Sequence, residues 1–392
     1  MIVAVPEDRR CIVVGAGLLG LCATWALSQR RWRVTLLEAA GAVGHDRSGS
    51  KGDARIFRLG YPEGPYVEMA VRCRELWRRL EASAGRTLLH VSGQVTFGDE
   101  VALDAVAGAL AAAGAPGERL APGEAARRFP GITASGSVLF EPESGVLAAD
   151  DCLRALCETA DFSLHTGMRV TSLRQWPDSV TVATAGGHAF EADVVVDCAG
   201  PQALGLLGGD RPVAAAPSLP QVAYFGPAPR GGRERLPVFI EWGDDMIYGL
   251  PVPDGGLHGG TYKVSHHTPG TALDRFDPTD PTPFDDDPHL LALLTGAVRR
   301  LLPTLDPEPV ETERCVYDNS ADTDFVIGRA GNVVVGCGTS GHGFKFGPLL
   351  GELLADLADG TQPPIDLGRF GIDRGAPGRR GRDGYRRTVD GR

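Results

Sequence analysis

The 392-residue chain has little lysine: Lys51, Lys263 and Lys345 are the three lysines among 39 Lys plus Arg residues. Arginine therefore fills most solvated cationic positions, as a GC-rich coding bias would produce. Each remaining lysine is worth a separate question, because only an ammonium is a compact point charge that burial can tune. Positive charge is also short, with 50 Asp plus Glu and a net charge of −11. A general nucleic-acid or anionic-membrane binder needs a basic footprint and is excluded. No uncharged apolar run reaches the ~18–20 residues of a membrane-spanning helix. The start lacks a positive segment followed by an apolar one, so no secretory signal is expected and the expected location is cytoplasmic. The eight cysteines form no C-x-x-C pair and no zinc spacing; they read as reduced thiols, with no metal site. No internal repeat occurs. At ~150 residues per domain the length implies two to three domains' worth of chain. Residues 373–392, with seven Arg and many Gly, read as a disordered basic tail.

What is present begins with a dinucleotide signature. The apolar run Cys11–Val14 predicts a buried strand, and Gly15-Ala16-Gly17-Leu18-Leu19-Gly20 follows at once. Leu18, Leu21, Cys22 and Trp25 then recur at helical spacing, and Trp32–Leu37 predicts a second strand ending at Glu38. In this βαβ setting Gly15 permits the tight turn, Gly17 lets the backbone approach a pyrophosphate, and Gly20 lets helix pack on strand. The helix N-terminus faces the phosphates and Glu38 can accept both ribose hydroxyls. The motif alone does not separate FAD from NAD.

The same strand-then-glycine grammar returns twice, at Asp193–Gly200 and at Asn332–Gly343, the latter followed by a predicted helix from about Gly347 to Asp359. Between these lie strand-like segments such as Gly93–Phe97 and Gln221–Phe225. The expected fold is α/β (α+β, two-domain): a Rossmann-like FAD-binding domain with a discontinuous β-rich substrate domain. Expected boundaries are 8–82, 150–218 and 312–372 for the nucleotide domain, and 83–149 and 219–311 for the substrate domain. The Pro/Asp-rich run from Asp277 to Pro288 predicts an exposed loop, either a linker or a lid.

Five separated motifs carry a family resemblance: Gly15–Gly20 with Glu38; Gly52-Asp53-Ala54-Arg55-Ile56-Phe57-Arg58; Tyr248-Gly249 with Lys263 and His267; Cys315-Val316-Tyr317; and Ser340-Gly341-His342-Gly343-Phe344-Lys345-Phe346. From about residue 10 to 372 the chain resembles the monomeric sarcosine oxidase and N-methyltryptophan oxidase group of FAD-dependent amine oxidases, within the D-amino-acid oxidase-like superfamily. The resemblance implies FAD bound covalently through a thioether from Cys315, chemistry that needs the thiolate. It implies that Gly15, Gly17, Gly20, Glu38, Val170, Gly200, Gly341, Gly343 and Lys345 contact the cofactor. Arg58 and Lys345 would clamp a substrate carboxylate, with Tyr317 beside them; a guanidinium can take both oxygens and an ammonium adds a point charge. Lys263 would assist reduction of O2, since a preorganised cation beside developing superoxide lowers the barrier. Arg55 would support the anionic reduced flavin, and Tyr248 and His267 would line the substrate side. A neutral His267 could accept a hydrogen bond from the amine; His266 precedes it, so a one-residue shift would exchange the two.

At Lys51 such enzymes usually carry histidine, and Ala54 replaces a hydroxyl-bearing residue. Lys51 is counted among the cofactor contacts, with a solvent-facing position as the equal alternative. The implied reaction passes a hydride equivalent from the carbon next to nitrogen to flavin N5, gives an imine, and returns the electrons to O2 as H2O2. The implied substrate is a small N-methyl or cyclic amino acid, and the implied state is a monomer. The alternatives are an FAD-dependent amino acid dehydrogenase, or a biosynthetic tailoring oxidase of a cyclic imino acid, with a different electron acceptor.

Overall fold

The computed structural model describes residues 9–208, 215–229, 235–243, 245–268 and 270–375. The expected tail beyond residue 375 lies outside them. A six-stranded sheet forms where the sequence is rich in Val and Ile. Its order is Val326–Ala330, Val333–Cys337, Val194–Asp197, Arg10–Val14, Arg33–Leu37 and Ser163–His165. All neighbours are parallel except the first pair. The central strands are apolar on both faces, as a parallel sheet covered on both sides requires. Helix Leu18–Ser28 packs on helix Gly347–Asp359. Glycine permits that approach: a Cβ on Gly351 would stand 2.5 Å from the Cys22 backbone. The helix predicted from about Gly347 thus forms, and the strands of this sheet come from the beginning, middle and end of the chain.

An eight-stranded sheet has the order Leu305–Arg314, Gln221–Pro227, Tyr262–His266, Ile247–Pro251, Val238–Trp242, Gln94–Gly98, Val138–Glu141 and Glu118–Leu120. Only Val238–Trp242 and Gln94–Gly98 run parallel within it. Phe97, Phe239, Val264 and helix Pro288–Leu301 build its core. A three-stranded sheet, Ala54–Phe57, Gly145–Ala148 and Leu89–Val91, joins segments that the sequence reading divided between two domains. Strand Ala215–Leu219 pairs with Tyr317–Ser320, a pairing within the segments expected for the nucleotide domain.

The run 277–287 is coil, and it is strapped down. Gln202 Nε2 donates to Phe276 O at 3.0 Å, Arg169 pairs with Asp277, and Arg47 Nη2 lies 3.2 Å from Asp280 Oδ2. The Arg47 guanidinium also stands 4.1 Å from the Phe284 ring centroid.

Candidate active site

A cavity of about 610 Å³ runs along the C-terminal ends of the parallel strands, where open α/β sheets bind ligands. One end is the glycine turn. Gly15 has φ +93°, and a Cβ there would stand 2.6 Å from Cys198 O. A Cβ on Gly20 would stand 1.9 Å from Gly15 O, so Gly20 serves helix packing and does not line the cavity. Glu38 is buried at the end of the second strand. Its Oε2 accepts Ala16 N–H and its Oε1 accepts Ala40 N–H, both at 2.8 Å, which fixes the carboxylate towards the cavity. Leu18 N–H donates to Ser50 Oγ at 2.9 Å. Val170 and Gly200 line this end, together with Pro278 of the strap and the preceding Phe276.

The other end gathers the separated motifs. Arg55, Arg58, Tyr248, Lys263, His267, Cys315, Tyr317, Gly341, Gly343 and Lys345 all line it. Arg58 and Lys345 are buried and both stand against the Tyr61 ring: the Arg58 guanidinium lies 4.2 Å and Lys345 Nζ 5.7 Å from its centroid. Lys345 Nζ donates to His342 O at 2.9 Å, and its own carbonyl accepts Trp77 Nε1–H at 2.9 Å. Gly341, with φ +72°, leaves room for the Tyr317 ring, since a Cβ there would stand 2.2 Å from it. The Tyr248 and Tyr317 hydroxyls are hydrogen-bonded, and burial pushes both phenols up. His267 stands edge-on to Tyr248, with 6.4 Å between centroids. His266 does not line the cavity and lies buried against Thr268.

Lys263 is 3 % exposed on strand Tyr262–His266, with Nζ 3.4 Å from Ala54 O. Burial, and next the charge of Arg55, bring its ammonium down to about 8. Arg55 Nη1 donates to Ala54 O at 3.0 Å and Nη2 to Gly49 O at 3.2 Å, so the two cations share one carbonyl. Cys315 is buried in the lining, its N–H donating to Pro220 O at 3.0 Å.

Lys51 was expected either to contact the cofactor or to face solvent. It does not line this cavity; its Nζ lies 3.8 Å from Glu313 Oε1 at a second cavity of about 600 Å³. Its neighbour Ser50 makes the contact to the glycine turn instead.

Sequence reading missed several buried acids. Glu141 accepts Gly60 N–H at 2.8 Å and Leu59 N–H at 3.2 Å, directly after Arg58. Asp53 accepts Leu257 N–H at 3.1 Å, His258 N–H at 2.6 Å and a hydrogen bond with His258 Nδ1 at 2.8 Å. Glu313 was legible in one respect: two residues before Cys315, it falls on the same side of an extended chain.

The arrangement fits a dinucleotide cofactor with a reactive ring at the cationic end. The glycine turn would take the pyrophosphate, Glu38 the ribose hydroxyls, and Cys315, Arg55 and Lys263 would flank the ring. Among the described residues no group of three His, Cys, Asp or Glu could hold a metal. No helix there is long and apolar enough to cross a membrane.

Residues 10–357 match the family model "FAD dependent oxidoreductase". The chain is 35 % identical to the monomeric sarcosine oxidase of Streptomyces avermitilis, over 91 % of this chain and 95 % of that one. It is 32 % identical to the human peroxisomal sarcosine oxidase, over 93 % and 95 %. Among solved structures it is similar to NikD, described as an unusual amino acid oxidase essential for nikkomycin biosynthesis, in an open form. That likeness has a TM-score of 0.77 at 27 % identity, over 94 % of this chain and 98 % of that one. The chain is therefore an enzyme of the FAD-dependent oxidoreductase family and belongs with its sarcosine oxidase-like members.

Proposed function

We propose that the chain oxidises a small secondary amino acid, N-methyl or cyclic, using FAD and O2 and releasing an imine and H2O2. The observation that carries this reading is the convergence of Arg58 and Lys345 on the Tyr61 ring at the end of the cavity that Cys315 and Lys263 also line. Two buried cations there suit a carboxylate: Arg58 takes its oxygens and Lys345 supplies a second charge. Tyr248, Tyr317 and His267 line the same end and orient the amine. A neutral imidazole at His267 accepts from the amine and favours its uncharged form. FAD, when bound, takes up the hydrogen and two electrons leaving the carbon next to nitrogen. Cys315 would hold it through a thioether. Lys263 presents a fixed cation to O2 as negative charge develops on it, and Arg55 adds to the field that favours an anionic reduced ring.

The names of the curated relatives support sarcosine-like substrates and a monomer. The eight unpaired cysteines support a reducing compartment, hence the cytoplasm. The test is an anaerobic screen of secondary and cyclic amino acids against the holoenzyme, following loss of cofactor absorbance. Peroxide yield in air, with and without an artificial acceptor, then separates an oxidase from a dehydrogenase. Bleaching by no secondary amino acid would overturn the substrate reading, and bleaching without peroxide the oxidase reading.

A further inference from the structure

Behind the Lys263–Arg55 pair stands an acid that the reaction as proposed leaves unused. Glu313 Oε2 accepts the Tyr224 hydroxyl at 2.7 Å. Tyr224 pairs with Lys263 across neighbouring strands, and Lys263 Nζ lies 5.7 Å from its ring centroid. A Cβ on Gly52 would stand 3.6 Å from Arg55 Nη1 and 3.8 Å from Glu313 Oε2, so guanidinium and carboxylate flank one glycine. On the outer side Glu313 Oε1 faces Lys51 Nζ at 3.8 Å, and both line the second cavity. Glu313 thus stands between the two cavities, most of its side chain out of water.

We propose that Glu313 is a positioning residue for the oxygen reaction: its carboxylate is the counter-charge that keeps Lys263 an ammonium, and Lys51 anchors that carboxylate at the second cavity. This rests on the oxygen-side role given to Lys263 above. In the holoenzyme, where the proposed thioether leaves Cys315 without charge, the charged groups acting on Lys263 are Arg55, which opposes its charge, and Glu313 and Asp53, which support it. Asp53 already satisfies three donors from the 257–258 segment, which spend its field locally. Glu313 has a single hydroxyl donor and a cation at 3.8 Å, so more of its charge acts inward. Burial works against the Glu313 anion, but Tyr224, Lys263, Lys51 and His258 together hold its carboxyl below the usual range. The carboxylate therefore stays ionised wherever Lys263 titrates. Glu313 transfers no proton in this scheme; it acts through charge alone.

The test compares wild type with Glu313→Gln, Glu313→Asp and Lys263→Met as holoenzymes. Two readouts are taken against pH: stopped-flow reoxidation of the reduced enzyme by O2, and the absorbance of the resting oxidised cofactor, which reports the nearby charge without turnover. Wild type should show a titration that Lys263→Met lacks. Glu313→Gln should move its midpoint to lower pH in both readouts, by roughly one unit, and Glu313→Asp should restore it. If Glu313→Gln does not fold, Lys51→Met replaces it: with its anchor gone the carboxylate supports Lys263 less and the midpoint should move down, whereas an unmoved or raised midpoint overturns the proposal. A wild-type midpoint in Glu313→Gln, with slow reoxidation in Lys263→Met, overturns the Glu313 assignment and leaves the oxygen role standing. Wild-type reoxidation in Lys263→Met overturns both.

Discussion

The buried carboxylate of Glu141 accepts the N–H of Gly60 at 2.8 Å, two residues beyond Arg58. Ser144 Oγ at 2.9 Å and Gln94 Nε2 at 2.8 Å donate to the same carboxylate, so the chain end that carries Arg58 is tied to two other strands or turns. The fit is close: a Cβ on Gly60 would stand 2.6 Å from Glu141 Oε1. Glu141→Ala leaves these donors buried without an acceptor, and such losses run at about 1–3 kcal/mol per group. Arg58 also loses its mount. The expected result is a lower Tm together with a KM for the carboxylate substrate raised roughly tenfold, the equivalent of about 1.4 kcal/mol. A lower Tm with unchanged KM would show that Glu141 supports the fold and not Arg58.

Covalent attachment gives a prediction that needs no turnover. Wild-type protein denatured in acid should remain yellow and fluoresce in a gel. Cys315→Ala should give a colourless band with the cofactor in the supernatant. A colourless wild-type band would remove the thioether.

Some of this site was legible in the sequence and some was not, for physical reasons. The glycine turn was legible because its backbone demands glycine at fixed spacing: Gly15 at positive φ, Gly20 against Gly15 O. The placing of Arg55, Arg58, Lys263, Cys315 and Lys345 in one cavity was expected through resemblance, since no periodicity relates residues so distant in sequence. The link from Glu141 to Arg58 was invisible because it runs through backbone N–H groups of Leu59 and Gly60, more than 80 positions away, and a backbone donor leaves no side-chain signature. The surroundings of Lys51 were not legible, because a substitution read in isolation does not show its partner. Lys51 sits in the loop before strand Ala54–Phe57, its partner Glu313 lies on the distant strand Leu305–Arg314, and the turn contact goes to Ser50.

The strap should contribute to holding the nucleotide end. Its two ion pairs contribute little, because Asp277 and Asp280 stand largely in water and exposed pairs contribute about 0–1 kcal/mol. The better contact is the Arg47 guanidinium, itself well covered, on the Phe284 ring at 4.1 Å, with a further hydrogen bond to Thr282 O. Together these suggest about 1–2 kcal/mol. In a Cys315→Ala background, Arg47→Ala should therefore raise the cofactor Kd roughly tenfold or more, and should speed proteolytic cleavage within 277–287. Unchanged retention would show that the strap covers the site without holding it.

Asp197 offers a prediction in which pH fixes the sign. It is wholly buried at the end of strand Val194–Asp197, where Oδ1 accepts Ala199 N–H at 3.1 Å. Burial raises its carboxyl to about 7. An unfolded aspartate titrates near 3.9, so between about pH 4 and pH 7 the folded state holds the extra proton. Where the folded state binds more protons, stability falls as pH rises. The cost of the buried anion is thus absent below about pH 4, grows through that window and is complete above about pH 7. Asp197→Asn keeps the acceptor for Ala199 and carries no charge. It should match wild type in stability near pH 4 and exceed it at pH 8, by at most about 4 kcal/mol on the linkage scale, with a correspondingly higher Tm. Thermal unfolding at the two pH values checks this. An equal effect at both would trace the change to packing, and a lower Tm at pH 8 would mean that the anion has a stabilising partner in the folded protein.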